Sequence, residues 1–221
     1  MMRSPGLPVV SCGPLLLAAL LAACAPVREH KLEGRAMGTT WHVTVVGRAG
    51  ASSLQEKIER RLEEVEQTFS TYRPDSELNR FSRLPRAGEE FPASRDFLAV
   101  MRTSARVYAL SGGAWDGTVR PLVDLWGFGP LPPVAKPPDP RRIEALLGEV
   151  GFGKIEIRPG ALVKRRASVT LDLSSIAKGF GVDQVAEVIR REGFSDFIVE
   201  VGGEGYAAGS RRGGGPWRVG I

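Results

Sequence analysis

A lysine and two glycines stand at the start of a predicted helix, in the segment LDLSSIAKGFGVDQ at residues 171–184. Lys178 is locally unfavourable because a helix N-terminus carries partial positive charge. Gly179 and Gly181 each cost about 1 kcal/mol relative to alanine inside a helix. Free N–H groups of a first turn, together with a lysine, form a strong anion site, and the glycines leave room for a large ligand. The alternative is that the glycines serve helix–sheet packing while Lys178 extends into water.

Three further clusters combine glycine or a turn with a side chain that suits a flat ligand. Met37–Gly38 is either a simple turn or a polarisable wall for a ring, which the backbone can approach at the glycine. Tyr72, beside a predicted turn, is placed to stack on an aromatic ligand. Asp116, next to Trp115, either hydrogen-bonds the edge of a heterocycle or caps a helix with the indole in the core. The residues alone leave these alternatives open and predict an aromatic-lined anion site without naming a reaction.

Several classes of site are excluded by what the sequence lacks. It contains no serine nucleophile elbow, HExxH helix, P-loop or CxxC pair. His30 and His42 have no partner histidine at metal-ligand spacing. The 30 basic and 25 acidic residues give a net charge of +5, and they are mixed along the chain without an aromatic-interleaved basic stripe. We therefore expect no binding to nucleic acid.

The first 24 residues have the pattern of a secretory signal peptide. Arg3 precedes an apolar run at residues 15–23, which is too short to span a bilayer. The ending LAAC resembles a bacterial lipobox and predicts lipidation of Cys24; a plain signal peptide with a coincidental cysteine is the alternative. We expect a lipid-anchored protein on the periplasmic side of a membrane in a bacterial cell envelope. Loss of Cys12 with the signal would leave no disulfide framework or thiolate metal site.

The rest of the chain predicts a short tether at residues 25–31 and one domain at residues 32–221. Helices and short strands are mixed without regular βαβ alternation, which favours the α+β class. Prolines exclude a regular element from most of residues 131–140. The predicted strands are 39–47, 154–158, 161–164, 168–171, 196–201, 205–208 and 217–221. The predicted helices are 52–67 with Ser52 or Ser53 as cap, a short one from Ser76, 94–110, 139–149, and 175–192 with Ser174 or Ser175 as cap.

Taken in order, the clusters resemble the ApbE family, the FAD:protein FMN transferases. The matching pieces are MGTTW (37–41), FSTYRPDSELNRF (69–81), GAWDGTVRPLVDLWGFG (113–129), DLSSIAKGFGVD (172–183) and VGGE (201–204). The resemblance implies an ApbE-like α+β fold, binding of FAD and Mg²⁺, and transfer of FMN to a threonine or serine of a target flavoprotein subunit with release of AMP. It also implies FAD contacts at Met37, Tyr72, Ala114, Trp115, Asp116, Asp172 and Lys178, and a metal ligand at the Ser175 carbonyl.

The sequence departs from the family pattern in places. Glu200 stands where an asparagine is usual, Glu204 replaces a shorter acid, and Trp115 replaces a phenylalanine. A later His-x-x-Asp-Pro segment and the aspartate and threonine that complete the metal site are absent, so the family's general base is expected beyond Ile221. Because residues 217–221 end inside a predicted strand, we expect a fragment that lacks the C-terminal third. A non-catalytic lipoprotein that binds FAD or another dinucleotide is the alternative function.

Overall fold

A computed structural model describes residues 26–48 and 51–220. These residues form two antiparallel sheets that pack against helices. The strands are β1 Arg28–Ala36, β2 Thr39–Gly47, β3 Glu90–Pro92, β4 Ile155–Arg158, β5 Ala161–Lys164, β6 Asp196–Val201 and β7 Glu204–Ala208. The helices are α1 Ser52–Phe69, α2 Glu77–Ser82, α3 Arg95–Leu110, α4 Arg120–Leu125, α5 Pro140–Leu147 and α6 Ser174–Arg191, with a 3₁₀ turn at Phe152–Lys154.

The larger sheet has the order β1–β2–β6–β7 and carries the first hydrophobic core. Alternation along β2 places Trp41, Val43 and Val45 on the buried face, as the sequence predicts. Helices α1 and α6 cover this face in antiparallel orientation, because Lys57 pairs with Glu192 at one end while residues further along α1 meet earlier residues of α6. The C-terminal end of α1 therefore lies beside the N-terminal end of α6.

The smaller sheet has the order β3–β5–β4 and carries the second core. Its centre is a set of phenylalanine rings in edge-to-face contact: Phe81 lies 5.6 Å from Phe91 and 5.9 Å from Phe97, measured between ring centroids. The end of α1 and the start of α6 reach this second core through Phe69 and Ala177. Both helices thus run from one core to the other.

The structure confirms most predicted elements and corrects others. The predicted tether ends early, because Arg28 already begins β1, which pairs with the whole of β2. Residues 168–171 form no strand, since the Leu171 N–H bonds the Ser82 hydroxyl instead of a neighbouring strand. Residues 217–220 form no strand either, whereas Ile221 and the predicted signal peptide with Cys24 lie outside the described residues. Within the described ranges, none of the helices has the length and apolarity needed to cross a membrane.

The helix caps also differ in part from prediction. Ser76 caps α2 as expected, with its hydroxyl accepting from the Asn79 N–H. Helix α1 begins after Ala51 without a side-chain cap. Helix α6 begins after Leu173, and neither Ser174 nor Ser175 caps it.

A buried lysine ties the smaller sheet to its neighbours. Lys164 at the end of β5 is fully buried, and its Nζ donates to the carbonyls of Ser82 (2.9 Å), Ala167 (2.8 Å) and Val169 (3.3 Å). Its three donors are therefore all satisfied by backbone. Burial lowers the pKa of the Lys164 ammonium below that of an exposed lysine.

We expect Lys164→Met to lower the free energy of unfolding by about 2–4 kcal/mol at pH 7, because three buried carbonyls lose their donor. Because the pKa of Lys164 is lower in the folded state, there is a pH range, ending at about 10.4, in which the unfolded chain binds a proton that the folded chain does not. The free energy of unfolding of the wild type therefore rises with pH across this range. The stability difference between wild type and variant should therefore widen between pH 7 and alkaline pH in urea denaturation. A stability difference that narrows toward alkaline pH would contradict this prediction. The control is Lys57→Met, which removes an exposed ion pair and is expected to lower the free energy of unfolding by less than about 1 kcal/mol.

Candidate functional site

A cleft of about 560 Å³ opens where the end of α1 meets the start of α6. Its size is within the range typical of small-molecule sites. Three segments line it: the turn at residues 37–38, the end of α1 with the following loop at residues 66–74, and the start of α6. The cleft therefore brings together Met37, Tyr72 and Lys178, which are distant in sequence but were all predicted as ligand contacts.

Lys178 is half-buried in the second turn of α6 and faces this cleft. Its ammonium forms no hydrogen bond or ion pair with any residue in the described part of the chain. Gly179 faces open space, whereas a Cβ on Gly181 would lie 3.0 Å from Met37 Sδ. The two glycines thus have different roles: one leaves space beside Lys178, and the other allows α6 to pack against the turn.

Asp172, one residue before the N-cap Leu173, accepts a hydrogen bond from the first residue of α6. Its Oδ1 accepts from the Ser174 N–H at 2.9 Å, which places a carboxylate at the positive end of α6. The N–H groups of Ser174 and Ile176 in the first turn are therefore already bonded, so the positive charge available to an anion comes mainly from Lys178. The predicted FAD contact at Asp172 stays a prediction beside this structural role.

Tyr72 lies in a loop whose backbone is held by hydrogen bonds from the Asn79 side chain. The Asn79 side-chain amide donates to the carbonyls of Ser70 (3.2 Å), Thr71 (3.0 Å) and Arg73 (2.7 Å). These bonds fix the backbone on both sides of Tyr72, whose side chain remains 70% exposed. The ring is thus free to stack on a ligand without ordering the loop first.

Trp115 joins the third predicted cluster to the start of α6. Its Nε1 donates to the Ser175 hydroxyl at 2.9 Å, and its ring packs against Phe152 at 6.2 Å between centroids. This contact joins Trp115 to Ser175, which follows the cleft residue Ser174. Ala114, Trp115 and Ser175 are not among the residues that line the cleft. The indole therefore braces the helix end that carries Lys178.

The Asp116 carboxylate is engaged by protein groups. Its Oδ1 accepts from the Thr118 N–H (2.8 Å) and hydroxyl (2.6 Å), and its Oδ2 accepts from the Phe152 N–H (3.0 Å). The Thr118 hydroxyl oxygen in turn accepts from the Gly151 N–H at 2.7 Å. The predicted helix cap at Asp116 is wrong, because α4 begins after Val119 without a side-chain cap. The carboxylate instead has another structural role, in which it joins the loop after Trp115 to the turn before β4. Its role as an FAD contact stays a prediction.

The magnesium ligand predicted for this chain is the carbonyl of Ser175. Among residues 26–48 and 51–220 there is no group of three or more His, Cys, Asp or Glu side chains placed to hold a metal. The Ser175 carbonyl offers one oxygen ligand, whereas Mg²⁺ requires six in octahedral geometry. The predicted metal ligand at Ser175 is therefore neither confirmed nor excluded.

One cleft residue escaped the sequence analysis. Glu66, near the end of α1, lines the cleft and accepts the Met37 N–H at 2.8 Å through Oε2. In sequence it is one of several acids on a charged helix, with nothing to distinguish it. The sequence feature that could have pointed to this bond is Met37 itself, because a methionine rarely occupies the first position of a two-residue hairpin turn.

The ApbE family model matches residues 37–221, which include every segment that lines the cleft. The chain belongs to the ApbE family. It is 40% identical over 206 residues to the FAD:protein FMN transferase of Vibrio cholerae, an alignment that covers 91% of this chain and 61% of that protein. The resemblance drawn from the five motifs is thereby confirmed.

Solved structures of ApbE proteins have the same fold. The flavin transferase ApbE from Vibrio cholerae superposes with a TM-score of 0.85 at 39% identity, over 89% of this chain and 64% of that one. The apo form of the Pseudomonas stutzeri flavinyl transferase ApbE gives a TM-score of 0.83 at 33% identity, over 88% and 66%. These matches confirm the α+β prediction, and the chain spans somewhat less than two thirds of the length of these ApbE relatives.

Proposed function

We propose that this chain is the FAD-binding part of an FAD:protein FMN transferase, which moves FMN from FAD to a threonine or serine of a target protein. The observation that carries the proposal is the cleft that unites Met37, Tyr72 and Lys178 in an ApbE chain, with no partner for Lys178 among the residues that the structure describes. FAD has a flat ring system at one end and a pyrophosphate in the middle. The thioether of Met37 and the exposed phenol ring of Tyr72 suit the flat ring system, and the ammonium of Lys178 suits the pyrophosphate.

The proposed reaction is attack on the pyrophosphate. The hydroxyl oxygen of the acceptor forms a bond to the phosphorus of the FMN half, the bridging P–O bond breaks, AMP leaves, and the hydroxyl proton is lost. Such a transfer needs positioning and charge neutralisation more than a protein nucleophile. In this chain Lys178 would stabilise the phosphate charge, while Met37 and Tyr72 would hold the ring.

Mg²⁺ and a lipid anchor belong to the same proposal. The Ser175 carbonyl would supply one magnesium ligand, and Mg²⁺ bound there would neutralise phosphate charge. The lipobox-like LAAC predicts that Cys24 carries a lipid and holds the protein on the periplasmic side of a membrane. Detergent partitioning of the wild type and of Cys24→Ala would test the anchor: equal partitioning into the aqueous phase would contradict it.

The experiment that tests the function is co-expression of the full-length protein with a flavin-accepting subunit of a redox-driven ion pump, followed by mass spectrometry of that subunit. We expect an added FMN on a threonine or serine, and no addition when Mg²⁺ is removed with EDTA in the purified reaction. FAD binding without FMN transfer would support the alternative, a non-catalytic FAD-binding lipoprotein.

A further inference from the structure

The turn between β1 and β2 carries an unusual residue. Ala36 pairs with Thr39, so Met37 and Gly38 form a two-residue hairpin turn with φ values of +53° and +72°. Turns of this type favour asparagine, aspartate or glycine at the first position because the left-handed conformation strains other side chains. Met37 is the one non-glycine residue with positive φ in the described part of the chain.

Two contacts hold this strained residue in one conformation. Glu66 Oε2 accepts the Met37 N–H at 2.8 Å, across 29 residues of sequence. Gly181 provides the space for the thioether, since a Cβ at that position would lie 3.0 Å from Met37 Sδ. Met37 also packs against both hydrophobic cores. Strained residues retained in this way are concentrated at ligand sites.

We propose that Glu66 is a positioning residue: its carboxylate fixes the Met37 turn so that the methionine forms a preset wall for the flavin ring. This inference rests on the proposed function for the identity of the ligand. Since Glu66 itself lines the cleft, direct contact with the ligand is the competing role. The two roles predict different behaviour when Met37 is removed.

The first test is FAD binding to the full chain, measured by fluorescence titration. Glu66→Ala should raise the Kd about tenfold, whereas Glu66→Gln, whose amide oxygen accepts the same N–H, should stay within about threefold of the wild type. Glu56→Ala is the matched control, because it removes the same charge from an exposed position of the same helix. Equal affinity of Glu66→Ala and the wild type would overturn the proposal.

The second test is a double-mutant cycle with Met37→Gly, in which glycine adopts positive φ without strain. If Glu66 acts through Met37, adding Glu66→Ala to Met37→Gly should change the Kd less than twofold. A further tenfold loss in that background would overturn the positioning role and assign a direct contact instead.

The third test needs no flavin. In protein labelled with ¹³C on the methionine methyl groups, the Met37 resonance should move in Glu66→Ala and keep its position in Glu66→Gln. The resonance of Met101, which is fully buried in α3, reports whether the fold is intact. A Met37 resonance that moves while the wild type binds no FAD would support the positioning role and contradict the proposed function. An unmoved resonance would overturn the positioning role whatever the flavin affinity.

Discussion

Lys178→Ala is expected to raise the Kd for FAD by about 10- to 100-fold, the largest loss of affinity from a single side chain in the cleft. A hydrogen bond to a charged group contributes about 1.5–3 kcal/mol, and about 1.4 kcal/mol corresponds to tenfold in affinity. The ammonium has no protein partner among residues 26–48 and 51–220, so its full charge is available to a phosphate. Fluorescence titration at two salt concentrations measures the effect, which should be larger at low salt where screening is weaker.

Two further variants control this experiment. Lys178→Arg keeps the charge and should recover most of the affinity. Lys31→Ala removes the same charge from an exposed position on β1 and should leave the Kd within about twofold. Equal FAD affinity of Lys178→Ala and the wild type would show that Lys178 does not contribute to FAD binding.

Asp116→Ala is expected to lower the free energy of unfolding by about 3 kcal/mol, because it leaves the Thr118 and Phe152 N–H groups without their acceptor. Asp116→Asn should not rescue the loss. Three donors converge on the carboxylate, so an amide must turn its NH₂ group toward at least one of them. Urea denaturation of both variants measures the effect, with the exposed Asp183→Ala on α6 as control.

The same variants separate the two roles of Asp116. If the carboxylate only supports the loop, FAD affinity of the folded Asp116→Asn protein should fall by a few fold at most. Stability within about 0.5 kcal/mol of the wild type, combined with a large loss of FAD affinity, would contradict the structural role and restore a direct contact.

The sequence predicts the elements whose hydrophobic pattern is strong. Strand β2 and helices α1 and α6 follow from alternation or a three-to-four-residue period, since each has one buried face. Strand β1 as a whole is missed because most of its residues, REHKLEGRA, are charged or polar, as suits a strand at the edge of a sheet. Its pairing with β2 is a tertiary interaction, which residue composition does not predict.

The candidate site is likewise predicted from the sequence only in part. Met37, Tyr72 and Lys178 are identified from residue type and family pattern, and the structure does place them on one cleft. The bonds that hold them are not predictable, because Glu66 and Asn79 act on backbone groups whose position depends on the fold. Trp115 and Asp116 are predicted from the sequence as ligand contacts, whereas the structure shows that their polar atoms are bonded to protein groups, which the sequence does not reveal.

The packing of Met37 against both cores has a consequence for cooperativity. The cleft lies between the two hydrophobic cores. Among the helices of residues 26–48 and 51–220, only α1 and α6 contribute buried residues to both cores. A ligand bound in the cleft stabilises only the state in which both cores are assembled, so occupancy and folding are thermodynamically linked. FAD would then slow hydrogen exchange in both sheets together, and a substitution deep in either core would weaken the apparent flavin affinity once it leaves a sizeable fraction of the chain unfolded. Protection confined to one sheet would show that the two cores open independently.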